Sequence, residues 1–325
     1  MEQFTALPLP LDEWLRIVEA EYLSGPAGCA GFVPAGGGAL KLLIADDALF
    51  APAAARLAAL AADHRLRAVH IDAGQTRLHM LQDVVFALTR ALPWQEMVQH
   101  YLEDLFARHE YPWPQPGTRM SLHALAEAFG VAPGLLARER DRWLSRDIWE
   151  DRALAQDVRA ALLRLCLAPF DPDDPALAEP VLAWLRGEKV AASLLRGAEI
   201  SGRITRTNAR AVLVSLCHWL RRSGAAGLLL TIDLRALQRT GAAAVGTLRY
   251  SPAAVMDTYE VLREIIDDAG HLPGLFVAVL ADEAIVAGDP RRALAQYAAL
   301  QMRLWPDVRP GDRQNPLAPL VWIGP

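Results

Sequence analysis

The chain has 325 residues, of which 53% are hydrophobic, and a formal net charge of -5. This length and apolar content suffice for a large buried core, so an intrinsically disordered chain is excluded. The acidic balance excludes a uniformly basic nucleic-acid coat, and any contact with DNA would have to come from a local patch.

The three cysteines, Cys29, Cys166 and Cys217, lie far apart and form no C-x-x-C pair. They give no zinc signature, so we assign no metal site and expect buried, reduced thiols. Acidic residues interrupt residues 1–15, which argues against a secretory signal, and residues 24–40 are too rich in glycine and proline for a membrane helix. We expect a soluble, cytoplasmic protein.

Residues 11–22 carry apolar side chains at helical spacing, which predicts an amphipathic helix. A loop rich in glycine and proline follows at 25–38. The apolar runs 40–45 and 68–73 are typical of buried strands and flank a helix predicted at 53–62. Strand, helix and strand in succession predict a right-handed parallel unit.

The rest of the chain continues this alternation after a long helical stretch at 78–195, which is broken by proline-rich segments at 111–117 and 168–175. The later elements are a helix at 208–223, a strand at 227–233, a helix at 252–268, a strand at 275–281, a helix at 290–305 and a strand at 320–323. Five buried strands separated by helices predict an α/β fold with a doubly wound parallel sheet. The predicted divisions are an N-terminal helix and loop (1–30), the first part of the core (31–110), a helical insert (111–195) and the second part of the core (196–325).

The connection after the first strand, residues 45–52, reads ADDALFAP. A phosphate loop at this position would need glycines that let N–H groups converge, a lysine for the outer phosphates and a hydroxyl for Mg²⁺. All three are missing here, and Asp46 and Asp47 would repel a polyphosphate. We therefore expect no cofactor, with ATP and magnesium bound only if a degenerate site still functions.

The phosphate-loop motif can also be aligned in a second register, in which a degenerate loop lies at 35–42 and retains Gly38 and Lys41. This register would require the sequence from Lys41 to Pro52 to be a helix with a proline inside it. It also lacks the hydroxyl that would hold the metal, so both registers predict an impaired nucleotide site.

The apolar strand at 227–233 ends in Asp233, followed by Leu234. In phosphate-loop ATPases such a strand ends Asp-Glu, where the aspartate holds the magnesium shell and the glutamate polarises water. Leucine cannot accept a proton, so only a metal-binding role for Asp233 remains possible. The alternative is that Asp233 simply begins the loop that follows.

The sequence from Ser121 to Trp143 predicts two helices joined by a glycine turn, as in a helix-turn-helix. The second helix carries Arg138, Arg140 and Arg142, which could contact DNA phosphates. Because these arginines alternate with Glu139 and Asp141, a solvated pair of helices with paired charges is the alternative.

Arg291 and Arg292, placed just inside the predicted helix 290–305, could act as arginine fingers toward a neighbour's nucleotide. The alternative is that both are ordinary solvated charges near the amino end of that helix. No G-x-S-x-G elbow or histidine pair of metalloprotease type is present, so no residue is assigned a catalytic role.

Five segments, spread from about Phe32 to Leu320, together resemble the ATP-binding-domain proteins of BREX-type bacteriophage defence loci: GGGALKLLIADD, HIDAGQTRLHMLQDVVFAL, TNARAVLVSLCHWLRRSGAAGLLLTID, YSPAAVMDTYEVLREIIDD and RRALAQYAALQMRLWPDVRP. In intact relatives the first strand leads into a complete phosphate loop, and the acid-tipped strand ends Asp-Glu. Of that set only Asp233 carries over, because the lysine and hydroxyl positions fall at Ala51 and Pro52.

The resemblance implies a P-loop NTPase fold of AAA/ASCE type with an inserted, winged-helix-like helical module. It implies a component of antiviral defence, here a pseudo-ATPase that serves as scaffold or regulator of partners such as an active ATPase, a helicase or a phosphatase-like subunit. The alternatives are a weak ATPase that completes a composite site with a partner and a DNA-binding regulator that acts through the insert.

Overall fold

The computed structural model describes residues 7–25, 29–170, 178–239, 246–304 and 314–325. The chain forms two compact units: an α/β unit made of Met1–Leu88 and Ala225–Pro325, and a helical unit, Thr89–Gly224. The insert expected from the sequence, 111–195, lies within the helical unit, which also includes the helices on either side of that range.

The α/β unit contains six parallel strands: β1 (Leu9–Pro10), β2 (Ala39–Ile44), β3 (Leu66–Asp72), β4 (Gly227–Asp233), β5 (Leu275–Ala281) and β6 (Leu320–Gly324). Their order is β1-β6-β2-β5-β4-β3, with β1 parallel to β6 and every other neighbouring pair also parallel. The five predicted strands are therefore confirmed within a residue or two, but the predicted count of five is wrong. The two residues of β1 are too few to give a periodic signal.

Fourteen α-helices lie in the described parts of the chain: α1 (Leu11–Val18), α2 (Asp47–Asp63), α3 (Leu81–Ala91), α4 (Trp94–Arg108), α5 (Leu122–Ala128), α6 (Pro133–Leu144), α7 (Gln156–Leu167), α8 (Ala178–Leu185), α9 (Ala192–Gly197), α10 (Ala209–Arg222), α11 (Arg235–Gln238), α12 (Pro252–Asp267), α13 (Ala284–Ala287) and α14 (Ala298–Leu304). The predicted helix at 11–22 continues past α1 as a π-helical turn, Glu19–Leu23.

Two predicted elements differ from the structure. The connection expected at 45–52 is largely helical, because α2 already begins at Asp47 and includes Pro52. An aspartate preceding and another opening the first turn favour a helix start here. The helix predicted at 290–305 is wrong: the described residues form a turn, a 3₁₀ segment at Leu294–Gln296 and the short α14, while Trp305 lies outside the described residues.

The core of the α/β unit is built on the central strands β4 and β5, in which every residue is buried. Such continuous apolar runs are typical of parallel strands covered on both faces. One side of the core joins α1 to β2, α2 and β5, with Trp14, Leu57 and Phe276 fully buried. The central strands are therefore rigidly placed, and their carboxyl ends define one edge of the sheet.

The helical unit is packed around an aromatic cluster. The ring of Phe106 lies 5.3 Å from Trp113, 5.4 Å from Trp143 and 5.9 Å from Phe170. Helices α5 and α6 follow each other as predicted, and Ser121 caps α5 by accepting a hydrogen bond from the Ala124 N–H. Among the described residues of this unit there is no β-strand, so the expected winged-helix character is not confirmed.

Two surface properties bear on the sequence predictions. None of the described helices is long and apolar enough to span a bilayer. Cys166 and Cys217 are buried as expected, but Cys29 is exposed, so the prediction of three buried thiols is wrong for Cys29. Cys29 lies within the glycine- and proline-rich loop at 25–38, where no apolar periodicity indicates burial.

Candidate functional site

Four neighbouring strands carry an aspartate at their carboxyl ends. β3 ends at Asp72 and β4 at Asp233, which pair directly in the sheet register. Asp282 follows β5, and Asp46 and Asp47 follow β2. Because all these strands are parallel, their aspartates lie along one edge of the sheet, where ligands of open α/β folds bind.

Asp233 is held by an arginine from its own chain two residues later. Its carboxylate is buried, and the Arg235 guanidinium donates to both oxygens, with Nε at 3.1 Å from Oδ1 and Nη2 at 2.6 Å from Oδ2. The backbone N–H of Arg235 donates to Oδ1 as well, at 2.9 Å. A bidentate ion pair of this kind is among the stronger polar contacts in proteins. Most of the hydrogen-bonding capacity of the Asp233 carboxylate is therefore already used by Arg235.

The same guanidinium reaches across to α2. Nη1 of Arg235 lies 3.6 Å from Oδ1 of Asp47, and its central carbon lies 4.3 Å from the centre of the Phe50 ring. The hydrogen bond to Asp233 is the first cause that raises the pKa of Arg235 above its ordinary value, so the cation is fixed. Arg235 therefore links the acid-tipped strand β4 to the amino end of α2.

The sheet has a topological switch point at this edge. β2 and β5 are neighbours, but the chain leaves them in opposite directions. After β2 it continues to β3, the outermost strand on the β5 side, and after β5 it continues to β6, which lies on the other side of β2. Ligand crevices of doubly wound folds form where strand connections diverge in this way. Burial raises the pKa of Asp282 at this point, and the negative charge of Asp47 raises it further, while the Ala284 N–H opposes the shift. Asp47 and Asp282 thus lie close enough at the switch point to interact electrostatically.

Lys41 and Gly38 lie elsewhere. Lys41 is the third residue of β2, and its ammonium donates to the backbone carbonyls of Leu317 and Ala318, which precede β6. Gly38 packs against backbone, since a Cβ there would stand 2.3 Å from the Ala269 carbonyl oxygen. Residues 39–44 form a strand, so the helix required by the second register is wrong. The structure does not bring these two residues to the edge that carries Asp233.

Arg291 and Arg292 occupy a turn and have different surroundings. The Arg291 side chain is 77% exposed, and its Nη2 lies 3.1 Å from Oδ2 of Asp289. Arg292 is buried and donates from Nη1 to the Leu237 carbonyl at 2.7 Å. Only Arg291 could reach a partner molecule without rearrangement.

Arg138, Arg140 and Arg142 lie on α6 but do not share one surface. Arg140 is mostly covered, bonds Asp141 at 2.7 Å and lies over the Phe170 ring at 5.1 Å. Arg138 is exposed and donates to the Gly134 carbonyl at 3.2 Å, while Arg142 is 79% exposed and lies 3.9 Å from Glu139. The predicted contact residues are thus reduced to an exposed pair, Arg138 and Arg142.

Sequence reasoning missed Arg235, Asp72 and Asp282. The two aspartates could have been found from the sequence, because each ends or directly follows an apolar strand run, as Asp233 does. Arg235 gave no comparable signal, since its contact with Asp47 joins residues far apart in the chain.

No group of three or more His, Cys, Asp or Glu side chains among the described residues is arranged to hold a metal ion. In comparisons with known proteins, no curated protein and no solved structure matches the chain. A family model described as BREX system ATP-binding protein BrxC/D matches residues 150–324, more than half of the chain. The match includes β4 with Asp233 and begins after the β2–α2 connection. The chain therefore belongs to the family of BREX system ATP-binding proteins BrxC/D.

Proposed function

We propose that this protein is a non-hydrolysing member of its family, a pseudo-ATPase that acts as a scaffold or regulator of other proteins in phage defence. The observation that carries the proposal is the Arg235 guanidinium, which is bound to both oxygens of the buried Asp233. In an ATPase the corresponding aspartate holds the magnesium shell. Here a side chain of the protein supplies the positive charge instead.

The connection after β2 supports the same conclusion. Only Ala45 and Asp46 separate the strand from α2, and α2 opens with Asp47. The amino end of a helix attracts anions through its free N–H groups and its dipole, but two carboxylates already stand there. A triphosphate would meet negative charge instead of a glycine-rich cradle. We infer that the residues present do not fit magnesium–ATP.

A protein that keeps this fold without a nucleotide would act through its surfaces. Membership of a BREX family supports partners among other defence proteins, such as an active ATPase, a helicase or a phosphatase-like subunit. Because Arg235 holds Asp233, the carboxyl ends of the strands would keep the same conformation with or without nucleotide. Such a surface could bind a partner protein under either condition.

Isothermal titration of the full chain with ATP and Mg²⁺ tests the proposal. We expect no binding heat with the natural protein. We also expect none with Arg235→Gln, because removing the guanidinium does not restore a phosphate cradle. Arg239→Gln, which removes an exposed arginine close to Arg235 in sequence, serves as the matched control. Micromolar binding by the natural protein would refute the proposal, and binding that appears only in Arg235→Gln would show a gated site instead of a lost one.

A composite ATPase is the second candidate, favoured by the exposure of the Arg291 guanidinium. In that case hydrolysis appears only after a partner ATPase is added, and Arg291→Ala abolishes the gain. Arg292→Ala is unsuitable for this test because Arg292 is buried against Leu237. If mixing with partner subunits never raises ATP turnover, this candidate is excluded.

DNA binding through α5 and α6 remains a prediction. It rests on the exposed pair Arg138 and Arg142. Weaker binding of a DNA duplex by Arg138→Gln/Arg142→Gln would support this prediction, and unchanged affinity would remove it.

A further inference from the structure

Positive charge is concentrated in one part of the helical unit. No aspartate or glutamate occurs from Ile200 to Ile232, although the whole chain has 38 acidic residues and a net charge of -5. Just before and within the start of this stretch, four exposed cations follow one another: Lys189, Arg196, Arg203 and Arg206. We call these four residues the basic segment.

The cations of the basic segment are not neutralised by the protein. None of their four side chains has a hydrogen-bond or ion-pair partner within the described ranges of the chain, whereas Arg140 and Arg142 of α6 are both paired. Two acids lie close to these cations in sequence: Glu199 is paired with Arg164 at 3.5 Å, and Glu188 directly precedes Lys189. Exposed cations without partners give a local positive potential on an otherwise acidic protein.

The backbone that carries two of these arginines is firmly held. Ser201 donates from its N–H and its hydroxyl to the two carboxylate oxygens of Asp157, at 2.8 and 3.0 Å. The Trp184 indole donates to the Gly202 carbonyl at 2.8 Å. Asn208 accepts from the Thr205 N–H at 2.7 Å and donates to the Arg203 carbonyl at 3.1 Å. Arg203 and Arg206 therefore project from a fixed turn, so little backbone order remains to be gained on binding.

The positive charge of Arg206 is electrostatically unfavourable where it lies, as long as no ligand is bound. Arg206 lies three residues before Ala209, the first residue of α10, and the first turn of α10 carries no acidic residue. A cation at the amino end of a helix is repelled by the helix dipole. An anionic ligand beside Arg203 and Arg206 would offset this repulsion.

We propose that the basic segment binds the phosphate backbone of duplex DNA. Thr205 and Thr207 are exposed beside the arginines, and their hydroxyls hydrogen-bond each other at 2.8 Å. Arg, Ser and Thr are typical phosphate contacts that carry no sequence information. No aromatic residue occurs from Lys189 to Arg210, whereas single-stranded nucleic acids are held by stacking on aromatic rings and protein partners are anchored by them. The chemistry therefore fits the backbone of a duplex.

Fluorescence anisotropy of the full chain with a labelled DNA duplex of random sequence tests this proposal. Binding is expected to weaken steeply between about 50 and 200 mM salt, with a slope of log affinity against log salt of roughly −3 for three to four phosphate contacts. The double variant Arg203→Gln/Arg206→Gln should bind roughly tenfold more weakly, and its slope should be smaller by about 1.8.

Arg119→Gln/Arg152→Gln is the matched control, because it removes the same charge from exposed positions elsewhere in the helical unit. This variant should bind like the natural protein. Both double variants change exposed side chains, so unchanged circular dichroism and melting confirm that the fold is kept. The proposal is overturned if the control variant loses binding while Arg203→Gln/Arg206→Gln does not, if affinity is insensitive to salt, or if single-stranded DNA or RNA binds more tightly than the duplex. These titrations contain no nucleotide, so their outcome is independent of the ATP-binding test.

Discussion

Lys41 is a buried cation in the middle of a parallel sheet. It is 4% exposed, its ammonium donates to the backbone carbonyls of Leu317 and Ala318, and it lies 4.9 Å from the centre of the Tyr22 ring. Burial lowers the pKa of Lys41 to about 8. The carbonyls and the ring compensate only part of the lost hydration, because none of them carries a full negative charge.

This shift predicts that the contribution of Lys41 to stability increases as the pH rises above 8. The folded pKa of Lys41 is lower than its unfolded value, so between these two values the unfolded chain binds more protons and the free energy of unfolding increases with pH. From about pH 7 to pH 9.5 the gain is about 2 kcal/mol. Burial also raises the pKa values of the Cys166 and Cys217 thiols, which lowers stability over the same range in every variant. Denaturant titrations at the two pH values should therefore show a change in the free energy of unfolding that is about 2 kcal/mol more favourable in the natural protein than in Lys41→Met.

The chain offers a matched control, because Lys189 is its only other lysine and is exposed. Lys189→Met should keep the pH dependence of the natural protein. If Lys41→Met keeps it as well, Lys41 is not the group that titrates.

Among the elements, the turn that follows β3 depends on a distant tyrosine. The hydroxyl of Tyr250 accepts a hydrogen bond from the Leu78 N–H at 3.0 Å and contacts the carbonyl oxygens of Ala73 at 3.0 Å and Thr76 at 2.5 Å. Asp72 fixes the same turn by accepting from the Gly74 N–H at 2.6 Å. The backbone beside the aspartate edge is thus held by side chains, since its polar groups are not paired within a sheet or helix.

Tyr250→Phe should lower the free energy of unfolding by about 1–3 kcal/mol, because buried backbone groups of the turn lose their partner. Urea titration measures the change. Tyr22→Phe in the same unit is the control, since the Tyr22 hydroxyl has no hydrogen-bond partner in the described part of the chain and its loss should cost little. Equal effects of the two substitutions would contradict the assignment of a structural role to the Tyr250 hydroxyl.

At the scale of the whole molecule, the chain combines an α/β unit with a helical unit that interrupts it in sequence. The family match spans part of each unit. The parallel sheet and the family match are those of ATP-binding proteins, and at the aspartate edge Arg235 forms ion pairs with Asp233 and Asp47.

A global consequence is that magnesium–ATP should not change the melting temperature. A ligand present at 100 times its dissociation constant would stabilise the folded chain by about 2.7 kcal/mol, which shifts the melting transition by several degrees. Melting with magnesium and inorganic phosphate at matched ionic strength corrects for general salt effects. A rise specific to ATP would show that the chain binds nucleotide.

Local sequence patterns were sufficient for five of the six strands in the described residues. GLLLTID and LFVAVLA are confirmed as β4 and β5 at every residue, because a strand buried on both faces requires an uninterrupted apolar run. The aspartates that end these runs could be assigned to one edge of the sheet once the strands were known to be parallel. Family membership was also visible in the sequence and is confirmed by the family model.

Contacts between distant segments could not be read in this way. The order of the strands, the burial of Lys41 and the bond from Arg235 to Asp47 depend on which segments pair after folding. The prediction of a helix at 290–305 was wrong for the same reason. Local propensity favoured a helix, but the Arg292 side chain is buried and donates to the Leu237 carbonyl, and the chain forms a turn there. The pattern of apolar side chains indicates whether a segment can be buried. Which other segments it then packs against depends on the fold of the whole chain.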